Sequence, residues 1–264
     1  LNTGLTLRTV RVSNGIAEVR AGATLLFESD PQAEEAETRL KASALLDAIM
    51  RADTEAGPQA AQIPSRAGAG RKVLMVDHED SFVHTLAGYF RETGAEVVTY
   101  RSGFSAERLE AEQPDLVLLS PGPGHPQDFD LSRTIDAALT LGVPIFGVCL
   151  GLQGIVEYFG GELATLSTPM HGKPSSVRVL GGRVFDGLPE QFTAGRYHSL
   201  YASSDCIPES LEVIAQTHDG VVMGVQHREL PIAAVQFHPE SIMSLNDDCG
   251  QRLVANVMRL MATG

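Results

Sequence analysis

Apolar and polar residues change their spacing twice along this chain. Over residues 5–12 and 16–20 they alternate with a period of two, and Asn14-Gly15 stands between the segments. Alternation around Asn-Gly predicts a β-hairpin, because that pair accepts the left-handed angles of a tight turn. Over residues 33–50 strong helix formers follow one another, with Leu40, Ala44 and Ile49 on an apolar face. Ser29 or Asp30 caps that helix, and Pro31 suits its first turn. Residues 51–70 carry Pro, Gly, Ala and Gln with no apolar period, the composition of a flexible linker.

From residue 71 short apolar runs alternate with helical periodicity. Strands are expected over 73–76, 96–100, 116–119 and 144–148, and helices over 82–93, 131–141 and 150–159. Asp80 or Ser81 caps the first of these helices and Gly94 closes it. This alternation predicts an α/β fold: an open, mostly parallel sheet with helices on both faces. Residues 176–237, richer in short strands and turns, are expected to add antiparallel members. The chain divides into residues 1–50, a linker over 51–70 and an α/β domain over 71–264.

Composition narrows the function. A chain of 264 residues, 43% hydrophobic, can bury a full core. Its net charge of -13 argues against a nucleic-acid surface, which needs clustered Lys and Arg. No apolar run reaches the length of a membrane span and no signal-peptide pattern opens the chain. Cys149, Cys206 and Cys249 lie far apart with no CxxC spacing, a poor disulfide framework and a poor zinc site. A reducing, cytoplasmic compartment is expected. The first residue is Leu1 rather than Met, so further residues are expected upstream.

Candidate chemistry centres on Cys149. Phe146-Gly-Val-Cys-Leu-Gly-Leu-Gln153 places a thiol between an expected strand and an expected helix. Such a turn exposes its central side chain at the carboxyl edge of the sheet, where open α/β folds bind ligands. The helix N-terminus favours the thiolate, and the free N–H of Leu150 faces the place where an oxyanion forms. A free cysteine is commonly an inert core residue, and Cys206 and Cys249 read that way; the turn sets Cys149 apart. His238 and Glu240 follow an apolar strand over 233–237 in the order His-Pro-Glu. In an extended chain residues two apart share a face, so Glu240 holds one imidazole nitrogen while the other takes the thiol proton. The loop Ser120-Pro-Gly-Pro-Gly-His-Pro126 exposes backbone N–H groups, and Gly124 is assigned as the second oxyanion donor.

With these stand Asp80-Ser-Phe82, His171-Gly-Lys173, Arg196-Tyr-His-Ser-Leu200 and Gln236-Phe-His-Pro-Glu-Ser241. In this order the motifs resemble the class I glutamine amidotransferase family, and within it the glutaminase component of anthranilate synthases. The resemblance implies that Cys149 is the nucleophile, His238 the base and Glu240 its partner. It places glutamine against Gly122, Pro123, Gly124, Gln153, Ser199 and Leu200, with no cofactor. His78-Glu79 and Leu152 depart from the family's frequent residues. His171-Gly172-Lys173, read as preceding a strand, is either a contact with a synthase component or a structural loop.

Residues 1–50 resemble the C-terminal end of a chorismate-utilising synthase, through Leu5-Thr-Leu-Arg-Thr9, Arg20-Ala-Gly-Ala-Thr24 and the acidic stretch that includes Glu37. That likeness implies that Arg8, Gly22, Ala23 and Thr24 contact chorismate, and that Glu37 binds Mg2+ in a complete synthase. About fifty residues cannot build such a site alone. The order matches fused anthranilate synthases, which serve tryptophan biosynthesis: glutamine and a synthase portion, fused or associated, are the expected partners, with no nucleic acid and no membrane. Two other readings stay open: a phenazine-pathway synthase making 2-amino-2-deoxyisochorismate, and a non-catalytic regulatory module of the same fold.

Overall fold

A computed structural model of the chain describes residues 9–13, 16–20, 66–244 and 248–261, with the single positions 32, 35, 39, 42 and 46. The chain divides into two units, Leu1–Gln62 and Ile63–Gly264. In the first, β1 (Thr9–Ser13) pairs antiparallel with β2 (Ile16–Arg20), from Thr9 opposite Arg20 to Ser13 opposite Ile16. The five single positions are helical, and Arg39 pairs with Glu35 one turn away at 2.7 Å. Asn14-Gly15, the helix cap at 29–31, the 51–65 part of the linker, and Arg8, Gly22, Ala23, Thr24 and Glu37 lie outside the described residues.

The second unit starts with β3 (Lys72–Asp77), α1 (Val83–Glu92), β4 (Glu96–Arg101), α2 (Ala106–Glu112), β5 (Leu116–Leu119), α3 (Leu131–Thr140), β6 (Ile145–Val148) and α4 (Leu150–Tyr158). It continues through β7 (Leu163–Val179), β8 (Gln191–Ala202), β9 (Leu211–Thr217), β10 (Val222–His227) and β11 (Ile232–Val235) to α5 (Cys249–Met261). One nine-stranded sheet has the order β4-β3-β5-β6-β11-β10-β9-β7-β8. The first five are mutually parallel. β10 and β7 reverse, so seven of the nine strands point one way. The antiparallel part holds two long strands where short ones were expected: β7 spans 17 residues and β8 spans 12.

Side chains of the parallel strands sort by parity, as a pleated strand buried on both faces requires. Val73, Met75, Leu116, Leu118, Phe146 and Val148 pack with α1 and α5 on one face. Leu74, Val76, Val117, Leu119 and Ile145 pack with α2, α3 and α4 on the other. Each such side chain contributes about 1.5–3 kcal/mol relative to exposure, and the parity fixes strand register because a one-residue slip would exchange the faces. The first helix has no side-chain cap at its N-terminus; Asp80 instead accepts the Phe82 N–H at 2.7 Å, shaping the turn before it. Among the described residues no helix is long and apolar enough to cross a membrane.

Candidate active site

Cys149 sits between β6 and α4 with φ 54° and ψ −101°, a conformation that favours glycine and costs on the order of 1–3 kcal/mol for another residue. Two glycines make room for the tight turn around it. A Cβ on Gly147 would lie 2.7 Å from the carbonyl carbon of Gly151, and one on Gly151 would lie 2.6 Å from the Leu119 carbonyl oxygen. The helix can therefore press directly on β6 and β5. The glycines serve the approach of backbone to backbone, more than the approach of a ligand. The Cys149 carbonyl accepts the Gln153 N–H at 3.2 Å, so helical bonding begins at the nucleophile and the Leu150 N–H, in the first turn, has no helical acceptor.

β11 lies beside β6, Val235 opposite Val148, which brings the following residues to the same sheet edge. His238 bridges to Gly195 of β8 and donates its N–H to that carbonyl at 3.0 Å. Nδ1 of His238 lies 2.8 Å from Oε1 of Glu240, both side chains fully buried. The pair forms across a turn at 239–240, which corrects the extended geometry expected for His-Pro-Glu. Phe82 and Tyr197 stand edge-on to the imidazole, at centroid distances of 5.1 and 4.9 Å, and the Tyr197 hydroxyl pairs with Ser241 at 3.0 Å. Burial works against protonation of His238, but hydrogen bonding to Cys149 and Glu240 and their charges outweigh it, raising its pKa well above 6.5. Its Nε2 has no nitrogen or oxygen partner among the described residues; the thiol is the group it serves.

A cavity of about 240 Å3 opens over Cys149. Gly122, Pro123, Gly124, Gln153, Ser199 and Leu200 line it, as do Tyr197 and His198. Gln153 donates through Nε2 to the Leu200 carbonyl at 2.9 Å and toward Gln236 Oε1 at 3.3 Å, leaving its own Oε1 as the atom available to a ligand. Of the loop glycines, Gly122 packs against Leu150, since a Cβ there would meet Leu150 Cδ2 at 2.5 Å. Gly124 has φ 74°, and a Cβ there would meet Asp128.

Several residues at the site had no assigned role. His78 is buried; its N–H donates to Ser120 Oγ at 3.0 Å and its Nδ1 lies 3.1 Å from the Ser120 carbonyl. Burial lowers its pKa to about 4, so it braces the Pro-Gly loop as a neutral ring. Its position directly after a strand was the available signal. His171-Gly172-Lys173 lies inside β7, where His171 pairs with Tyr197 and Lys173 with Arg196, and does not precede a strand. Among the described residues no three His, Cys, Asp or Glu side chains are grouped to hold a metal ion.

The model of the family "Glutamine amidotransferase class-I" matches residues 74–256. Over all 264 residues the chain is 60% identical to an anthranilate synthase of Azospirillum brasilense, spanning 36% of that protein. It is 42% identical over 188 residues to an anthranilate synthase component 2 of the same organism, covering 70% of this chain and 94% of that one. With an aminodeoxychorismate/anthranilate synthase component 2 of Bacillus subtilis it shares 40% over 173 residues, 65% of this chain and 89% of that one. Two solved structures share the fold. One is assigned as a GMP synthase component of Thermoplasma acidophilum (TM-score 0.61, 24% identity, 73% of this chain and 94% of that one). The other is a glutamine amidotransferase of Thermotoga maritima (TM-score 0.57, 13% identity, 74% and 99%). A family match across most of the α/β unit, around a buried cysteine, histidine and glutamate at one sheet edge, makes the conclusion plain: the chain belongs to the class I glutamine amidotransferase family.

Proposed function

We propose that this chain hydrolyses the side-chain amide of glutamine at Cys149 and supplies the ammonia for making anthranilate from chorismate. One observation carries the reading: Cys149 and the six residues assigned to glutamine line one cavity, with the buried His238–Glu240 pair hydrogen-bonded to Cys149 from behind it. The Cys149 thiolate, its proton already held by His238, attacks the amide carbon, forming a C–S bond as the carbonyl π pair moves to oxygen as an oxyanion. The N–H groups of Leu150 and of the Gly122–Gly124 loop, Gly124 by assignment, stabilise that charge; one such donor is worth about 10²–10³ in rate. As the C–N bond breaks, His238 passes its proton to the nitrogen and ammonia leaves. His238 then takes a proton from water, the resulting hydroxide attacks the thioester, and thiolate and glutamate separate. Glu240 holds the imidazole and balances its charge throughout. No step calls for a cofactor.

The likeness to the Azospirillum anthranilate synthase includes the first fifty residues, which supports a synthase portion ahead of the glutaminase, fused or associated, in an enzyme of tryptophan biosynthesis; we place that enzyme in the cytoplasm. Arg8, Gly22, Ala23 and Thr24 would complete a chorismate site there, and Glu37 would hold Mg2+. Residues 51–70 would link the two.

The test supplies the synthase portion, chorismate and Mg2+, and compares glutamine with ammonia as nitrogen source. Anthranilate and pyruvate should form from either with the wild type, and from ammonia alone with Cys149→Ala. Glutamine-dependent synthesis by Cys149→Ala, or an aminated product without pyruvate, would overturn the reading.

A further inference from the structure

Because β11 and β6 run parallel with Val235 opposite Val148, the next residue of each, Gln236 and Cys149, emerge side by side. The Cys149 N–H still donates to the Val235 carbonyl at 2.8 Å. Gln236 is fully buried, and its Nε2 stands 3.5 Å from the Cys149 sulfur. A glutamine amide can be turned either way, and its two ends are chemically opposite. Here the neighbours permit one orientation. The Leu200 carbonyl can only accept, and it receives Gln153 Nε2 at 2.9 Å and His198 Nδ1 at 2.8 Å. Gln153 therefore turns its NH2 group toward Leu200, and the same nitrogen reaches Gln236 Oε1 at 3.3 Å. With its oxygen engaged, Gln236 turns its own NH2 to the sulfur. At the far end Arg196, which has donors only, gives its Nε–H to His198 Nε2 at 3.1 Å. That fixes Nδ1 as the protonated nitrogen of His198. A donor-only guanidinium and an acceptor-only carbonyl set every proton between them.

We propose that Gln236 is a further catalytic residue, an amide donor held on the Cys149 sulfur that stabilises its thiolate. Gln153 is the positioning residue that fixes the donor's orientation. This rests on the reading of Cys149 as nucleophile. A hydrogen bond to an ionised acceptor is stronger than one to its neutral form, so the donor favours thiolate over thiol. Nucleophilicity falls by less than thiolate fraction rises: a tenfold gain in thiolate costs about threefold in intrinsic reactivity. The same contact helps the thiolate depart when water cleaves the thioester. A neutral amide suits the position because it adds a donor without a second buried cation beside His238.

The test uses the full chain as wild type, Gln236→Met and Gln153→Met. Iodoacetamide labelling of Cys149 is followed by peptide mass from pH 5 to 9, with Cys206 as internal reference. Glutaminase kinetics are measured with the synthase portion present. Gln236→Met should label Cys149 about threefold more slowly at neutral pH, with the limiting rate at high pH about threefold higher and Cys206 unaffected. Its kcat should fall by about tenfold with KM nearly unchanged. Gln153→Met should shift labelling the same way by less and also raise KM, and it carries the test if Gln236→Met fails to fold. Wild-type labelling profiles in both variants, with wild-type kcat in Gln236→Met, would overturn the proposal. A wild type whose Cys149 labels no faster than Cys206, and which releases no ammonia from glutamine, would sink the Cys149 reading itself.

Discussion

His238 and Glu240 meet at 2.8 Å across a turn, with the imidazole Nδ1 on the carboxylate Oε1. The Ser244 hydroxyl binds the His238 carbonyl at 2.7 Å, and the Ser241 N–H reaches the same carbonyl at 3.2 Å. The backbone is therefore pinned from both sides while Phe82 and Tyr197 hold the ring. The carboxylate holds the Nδ1–H end of the ring, and so leaves Nε2 as the nitrogen that serves Cys149.

Glu240→Gln should therefore lower glutamine-dependent kcat by about 10²-fold or more. A glutamine amide either accepts from Nδ1 without the charge or donates to it, and donation moves the ring proton to the end that should receive the thiol's. The stability effect has a defined pH window. The His238 pKa is raised in the folded state, so the associated stabilisation is complete below the unfolded value of about 6.5 and is lost as pH rises through the folded one. Urea unfolding of wild type and variant at pH 6 and 9 should show the larger gap at pH 6. An equal gap at both would contradict this coupling.

His78 gives the opposite sign. Its pKa falls to about 4 because burial disfavours the charged ring. Between pH 6.5 and 4 the unfolded chain takes up a proton that the folded chain refuses, and the folded state loses on the order of 3 kcal/mol. His78→Gln should remove most of that acid sensitivity. Urea midpoints at pH 7 and 4.5 measure it: the drop should be clearly smaller in the variant.

How much of this was legible in the sequence depends on the range of the interaction. Leu116–Leu119 was readable as a strand because a strand buried on both faces is a bare apolar run with turn residues after it. The Gly-Val-Cys-Leu-Gly turn was readable because the close approach of helix to strand demands glycine at fixed positions. The helix Ala106–Glu112 was missed since Leu109 is its single buried residue, leaving no periodic face to detect. The turn after His238 was misread as strand because two-residue spacing is compatible with both. The hydrogen bond from Gln153 to Gln236 spans 83 residues, and no local pattern encodes such a contact; it exists only once β6 and β11 lie side by side.

Gly151→Ala should test the close packing of α4. Its new Cβ would sit 2.6 Å from the Leu119 carbonyl oxygen and 2.8 Å from Leu119 Cβ, both on a central strand. Overpacking of this kind costs about 1–3 kcal/mol, and the helix can yield only by lifting Cys149 and the Leu150 N–H with it. Thermal melting should show the loss, and kcat should fall more than KM rises. A variant with wild-type melting and kcat would mean that the helix has room the geometry denies.

The strained angles of Cys149 allow a comparison in which activity plays no part. Alanine at this position keeps a Cβ and so keeps the strain of φ 54° and ψ −101°; glycine does not. The strain is on the order of 1–3 kcal/mol, and the extra freedom that glycine gives the unfolded chain offsets about 0.5–1 kcal/mol of the relief. Cys149→Gly should therefore be more stable than Cys149→Ala by about 1 kcal/mol. Both substitutions remove the thiol, so the change they cause in His238 is common to the two and cancels. Both should be inactive with glutamine, and neither should impair ammonia-dependent synthesis when the synthase portion is supplied. If chemical unfolding instead ranks alanine above glycine, the turn is held without strain, and the two glycines beside Cys149 serve packing alone.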